Sequence, residues 1–180
     1  ETRLLSSGPR TNPWFRECSM RIIEKGDLVS FDTDLIGPYG YCSDMSRSWL
    51  CGDKPSDEQR RLYAAAFEQI ESNIAVLKVG RTFLEVAEQC WPIPEEFLSN
   101  RYSVSMHGVG LADEYPSIKH SVDVAGNAYD GVIEAGMTLC VESFIGSYGG
   151  REGVKLEEQV IVTEAGIERM STYPYEIDWL

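Results

Sequence analysis

The sequence predicts an α+β domain. Segments of alternating, strand-like period lie near residues 28 to 50 and again from 101 to 163, and a stretch of helical period lies between them. Glycine and proline clusters separate the segments. With 180 residues, 43% hydrophobic and 25% charged, the composition suits one globular domain with its own core, here taken as residues 1–180.

Residues 1 to 18 are rich in turn formers, with Ser6, Ser7, Gly8, Pro9, Asn12 and Pro13 ahead of Trp14 and Phe15. Aromatic residues on such a loop are core plugs by default. After a turn at Glu24 to Asp27, Leu28, Ser30 and Phe31 lead into a strand. A bend at Gly37-Pro38 follows, then a second strand from Tyr39 to Leu50. If the two strands are adjacent, Asp32, Asp34 and Asp44 converge. Each carboxylate pair ~4 Å apart costs on the order of 4 kcal/mol at an effective dielectric near ~20, which calls for a cation between them. As isolated residues, the same acids could equally cap turns.

Pro55-Ser56 with Gln59 reads as a capping box, and Leu62, Ala66, Ile70, Ile74 and Leu77 recur at helical spacing until Gly80. A second helix is expected from Thr82 to Cys90, burying Phe83, Val86, Ala87 and Cys90, with Pro92 ending it. The alternation of Tyr102, Val104 and Met106 predicts a strand that delivers His107 beside two glycines. Two further strands are expected, Gly136 to Ser143 and Gly153 to Thr163, joined by a glycine-rich loop from Gly146. They carry Glu142 and Glu157 inside apolar runs, where a charge is costly unless paired or bound to a metal.

The net charge of −13 argues against nucleic acid and against an anionic membrane surface as partners. Five cysteines without a CxxC pair point to reduced, buried thiols in a cytoplasmic compartment. No apolar run approaches a membrane span. The chain begins at Glu1, which raises the expectation of a C-terminal fragment of a longer polypeptide.

Asp32, Asp34, Asp44, His107, Glu142 and Glu157 thus form a candidate metal site. Oxygen donors with one imidazole suit one or two divalent ions such as iron, manganese, cobalt or zinc. In order, the Asp of the first strand, Ser43-Asp44, HGVG from His107, GM…VES ending near Glu142 and KLEEQVIVTEAG from Lys155 resemble the pita-bread superfamily of methionine aminopeptidase, prolidase and creatinase. The resemblance runs from about Ser6 to Gly166 and implies a curved, mostly antiparallel sheet flanked by helices. It implies Asp32 or Asp34, then Asp44, His107, Glu142 and Glu157 as ligands, with Asp44 and Glu157 bridging.

This sequence also departs from the peptidase pattern. The superfamily's usual interval between its two Asp ligands is one residue shorter than Asp32 to Asp44 and one longer than Asp34 to Asp44. Where peptidases carry an upstream histidine, this chain has Trp14 and Phe15; where they carry one after HGxG, it has Asp113 and Glu114. With the Asp-x-Asp start and Tyr102 before His107, the pattern resembles a non-peptidase branch of the superfamily that cleaves dimethylsulfoniopropionate (DMSP) into dimethyl sulfide and acrylate. That resemblance implies Asp113 and Tyr102 as catalytic residues and iron as the favoured ion. It also implies a small-molecule substrate, a homodimer, and a missing N-terminal part. Trp14 and Tyr102 are the expected substrate-binding aromatics, with Phe15, Tyr39 and Tyr41 as further candidates, because a sulfonium gains roughly 0.5 to 2 kcal/mol over an aromatic face. The alternatives are a prolidase-type metallohydrolase, which needs a usable histidine and has only His120 to spare, and a pita-bread binding module without catalysis.

Overall fold

A computed structural model of the chain describes residues 4–52, 54–125 and 129–180. Its first sheet is built from β1 (Leu4–Ser7), β2 (Leu28–Asp32) and a strand farther along the chain. The turn-rich beginning therefore contains a short strand that its composition hides. Between β2 and that third strand lie two-residue strands, β3 (Leu35–Ile36) and β4 (Cys42–Ser43), which pair only with each other among the described residues. The third strand is β5 (Ser46–Leu50), and the order in the sheet is β1-β2-β5, all antiparallel. The single strand expected from Tyr39 to Leu50 is thus broken at Asp44-Met45. The cause is competition for backbone hydrogen bonds: Cys42 N–H donates to the Gly110 carbonyl and Asp44 N–H donates to the Gln159 side chain.

The helices follow the sequence closely. In α1 (Asp57–Ala75) the Ser56 hydroxyl accepts from Gln59 N–H while the Gln59 side chain accepts from Ser56 N–H, which closes the capping box. A second capping box, Thr82 with Glu85, opens α2 (Phe83–Gln89), where Phe83, Val86 and Ala87 are buried and Cys90, just beyond, is half-buried. A single turn, α3 (Glu95–Leu98), buries Phe97.

The second sheet contains β6 (Met106–Val109), β7 (Asp113–Ile118), β8 (Thr138–Ile145), β9 (Val154–Thr163) and β10 (Gly166–Arg169). Its order is β10-β9-β8-β6-β7, antiparallel throughout. The expected strand through Tyr102 and Val104 does not form, and His107 lies inside β6 instead of after a strand. Side chains take the carbonyls that a ladder would use: Trp14 Nε1 donates to Arg101 O and His120 Nε2 to Tyr102 O. Asp113, expected on a loop, opens β7.

The face of α1 carrying Leu62, Ala66 and Ile70 packs on Val141, Leu156 and Val160 of β8 and β9, and each such buried side chain contributes roughly 1.5 to 3 kcal/mol. Ser48 ties the two sheets together, its hydroxyl donating to Lys155 O at 2.9 Å and accepting from Lys155 N–H at 3.2 Å. All five cysteines are free; Cys140 is buried, but Cys18 is exposed, against the expectation of buried thiols. No helix among the described residues is long and apolar enough to cross a membrane.

Candidate metal centre

Strand register assembles the site. Glu142 sits directly opposite Glu157 across β8 and β9, His107 opposite Cys140 across β6 and β8, and Asp32 opposite Ser46 across β2 and β5. Two buried glutamates facing each other repel, so this register is stable only with positive charge nearby.

Two cationic groups supply it, one on each side. His107 Nε2 lies 3.3 Å from Glu142 Oε1, 3.6 Å from Glu157 Oε1 and 3.8 Å from Asp44 Oδ2. On the other side Lys155 Nζ donates to Glu142 Oε2 at 2.6 Å, Ser46 Oγ at 2.8 Å and Glu157 Oε2 at 3.3 Å, and lies 3.3 Å from Asp32 Oδ2. Lys155 escaped the sequence reading. Its signal was available, since a residue two positions before Glu157 on a strand shares its face, and a lysine in an apolar run demands partners.

The electrostatics follow from burial and neighbours. Burial pushes Asp44 up to about 10, aided by repulsion from Glu157 and Asp32. It carries Asp32 to about 7 against the pull of Lys155. Burial would lower His107, but the Glu142 and Glu157 carboxylates beside it lift it to about 12. Burial would likewise raise Glu157; Lys155 and His107 outweigh it and hold this carboxyl well below the usual range. Glu142, fully buried against Glu157, is raised.

Asp44 Oδ1 and Glu157 Oε1 are buried with no hydrogen-bond partner among the described residues. A bare oxygen in a protein interior costs about 1 to 3 kcal/mol or more, and a cation would satisfy both. The donor chemistry therefore fits a divalent ion. Asp44, His107, Cys140 and Glu157 offer donor atoms within 4.8 Å of one another, and so do Asp34, Asp44 and Glu114. Of the expected set, Asp44, His107 and Glu157 share the first group, and half-buried Asp34 meets Asp44 in the second. Asp32 and Glu142 stand beside them, engaged with Lys155. Cys140 and Glu114 are additions. Cys140 lies two residues before Glu142 on the same face of β8, which the strand period could have revealed.

The remaining expected residues surround this cluster. Asp113 Oδ1 is 3.7 Å from His107 Nδ1 and accepts from Glu114 N–H; burial raises its carboxyl. Glu114 holds a left-handed backbone (φ 67°), and its carboxylate lies within 4.8 Å of donor atoms of Asp34 and Asp44. The Tyr102 ring carries the Lys155 ammonium on its face at 4.6 Å, and burial keeps its phenol protonated. Trp14 packs against Tyr102 with ring centroids 4.4 Å apart and the planes tilted by 48°; Phe15, expected in the core, is 64% exposed. A cavity of about 20 Å³, room for roughly one water, lies between Trp14, Phe15, Arg16, Asp32 and Lys155. Tyr39 and Tyr41 are exposed on the turn between β3 and β4. His120 is buried, donates from Nε2 to Tyr102 O, and is pushed down to about 4 by burial.

Comparison with known proteins places this geometry in context. Residues 2–164 match the profile of metallopeptidase family M24. The chain is 48% identical over 180 residues to a protein of Roseovarius nubinhibens named dimethylsulfoniopropionate lyase DddP, covering 98% of this chain and 40% of that one. It is 44% identical over 177 residues to the protein of the same name from Roseobacter denitrificans, again covering 98% of this chain and 40% of the relative. The chain thus spans about two fifths of the length of these relatives. Among solved structures it is similar to the prolidase from Pyrococcus furiosus, with a TM-score of 0.79 at 26% identity over 95% of this chain and 49% of that one.

Proposed function

The chain belongs to metallopeptidase family M24, and from that premise we propose that it is the metal-binding catalytic part of a lyase that cleaves DMSP into dimethyl sulfide and acrylate. The observation that carries this reading is the 48% and 44% identity, across 98% of the chain, to two proteins named for that activity. Asp44, His107 and Glu157, with Asp32, Asp34 and Glu142 beside them, would hold the ion. Iron is the favoured metal and a homodimer the favoured assembly in this reading.

When bound, the ion supplies Lewis acidity that draws charge from the substrate carboxylate and acidifies its α C–H. Asp113 takes that proton. Its Oδ1 accepts from Glu114 N–H and faces His107, which leaves Oδ2 for the substrate, and partial burial makes the carboxylate a stronger base than an exposed one. The C–H electron pair becomes the Cα–Cβ double bond, and the C–S pair departs with neutral dimethyl sulfide. Tyr102, its phenol protonated, donates to the substrate. Trp14 offers an aromatic face to the sulfonium, since the face of Tyr102 already carries Lys155.

The hydrolase alternative is disfavoured by His120, the one histidine available to it, which is buried and bonded to a backbone carbonyl. The deciding experiment incubates metal-loaded, full-length protein with DMSP, measuring headspace dimethyl sulfide, alongside a proline dipeptide. Dimethyl sulfide without dipeptide cleavage is expected; dipeptide cleavage alone would transfer the reading to the peptidases. Asp113→Ala should lower acrylate formation about 10²- to 10⁴-fold with metal content intact, and unchanged turnover would remove Asp113 from the mechanism.

A further inference from the structure

Lys155 is the feature of the site that the reaction above leaves unused. Its side chain is 6% exposed. Three carboxylates, one hydroxyl and the Tyr102 ring surround its Nζ, more than enough to engage the three protons of an ammonium. Glu142 and Glu157 each turn Oε2 toward Lys155 and Oε1 toward His107. An ion held by Asp44, His107 and Glu157 would therefore share both glutamates with a fixed ammonium on their other side.

We propose that Lys155 is the resident counter-cation of this cluster. It holds Asp32, Glu142 and Glu157 together when no divalent ion is bound, and it weakens the binding of an ion by competing for the same carboxylates. The inference rests on the metal-binding reading given above. The physical basis is Coulombic: like charges on either side of a shared carboxylate repel, whereas the carboxylates alone repel one another without the lysine. Both effects act in one direction, so removing Lys155 destabilises the ion-free protein and favours the ion-bound one. A packing role would make no such division, because a lost contact costs both forms alike.

The test uses full-length protein, with Lys155→Met, which keeps the length of the side chain, and the charge-balanced pair Lys155→Met with Asp32→Asn. Melting is followed in chelator, and Mn²⁺ binding by calorimetric titration. K155M should melt below wild type in chelator and bind Mn²⁺ about tenfold tighter or more. The double variant should recover most of the melting loss, having lost one charge of each sign. Should K155M fold only with Mn²⁺ present, melting of the double variant supplies the comparison. Mn²⁺ binding in K155M equal to or weaker than wild type overturns the proposal, as does a double variant no more stable than the single one. If wild type itself takes up no Mn²⁺, the metal-binding reading falls too; if only the tightening is missing, the Lys155 assignment alone falls.

Discussion

Replacing Asp44 by Asn should move stability in opposite directions depending on whether an ion is present. Asp44 is 2% exposed, its Oδ1 has no hydrogen-bond partner among the described residues, and burial with repulsion from Glu157 and Asp32 carries its pKa from 3.8 to about 10. In the unfolded chain this carboxyl is ionised at pH 7.5; in the folded, ion-free protein it must hold a proton. The linkage between 3.8 and 7.5, at 1.36 kcal/mol per pH unit, gives an upper bound of about 5 kcal/mol against folding. Relaxation of the site and water penetration leave roughly 2 to 3 kcal/mol of it. Asparagine has the same shape and no charge to suppress, so the variant should regain this amount in chelator. At roughly 2 to 4 °C per kcal/mol for a chain of this size, the melting temperature should rise by about 4 to 12 °C. In saturating Mn²⁺ the order should reverse, because wild type keeps a ligand that the variant lacks. The sign fixes the pH window too: a raised carboxyl destabilises only above its unfolded value, so the difference in chelator should vanish near pH 4. A variant that melts below wild type in chelator at pH 7.5, or that gains as much from Mn²⁺, would refute this account of Asp44.

Further expectations concern the rest of the cluster and its supports. Asp32, raised to about 7, makes the ion-free protein lose stability as pH climbs from about 4 to 7, since its folded form resists the ionisation that the unfolded chain undergoes freely; urea midpoints in chelator should fall across that window, and a flat profile would contradict it. Arg47 and Glu158, each 1% exposed and 2.9 Å apart, form a buried pair. Arg47→Met should cost about 3 to 5 kcal/mol by stranding the glutamate, and adding Glu158→Gln should restore part of it in a denaturant titration. A Cβ at Gly108 would collide with the Tyr115 carbonyl oxygen. Gly108→Ala should therefore shift β7, displace His107 and Asp113 and cost about 1 to 3 kcal/mol, read as lower melting and reduced Mn²⁺ uptake.

Much of this could be read along the chain because it depends on local pattern. The capping boxes at Ser56 and Thr82, the buried stripe of α1 and the long strands β8 and β9 announce themselves through spacing alone. Glu142 and Glu157 stood out for a related reason, as charged groups set into apolar strands. Elements whose hydrogen bonds come from distant residues were not. The break at Asp44-Met45 depends on Gln159 and Gly110, and the missing strand at Tyr102 on His120 and Trp14.

By itself the sequence determined the class of fold and the chemical types gathered in the site, because period and charge within apolar runs are properties of neighbouring residues. Only the tertiary structure decided how those groups divide: Lys155 against Asp32 and the Oε2 atoms, His107 against the Oε1 atoms, Asp113 beside His107 and His120 turned away. Which oxygen faces which cation is fixed by the register of β8 on β9 and by the packing of one sheet on the other. Coulomb interactions fall off over a few ångströms, so they respond to that register and not to distance along the chain.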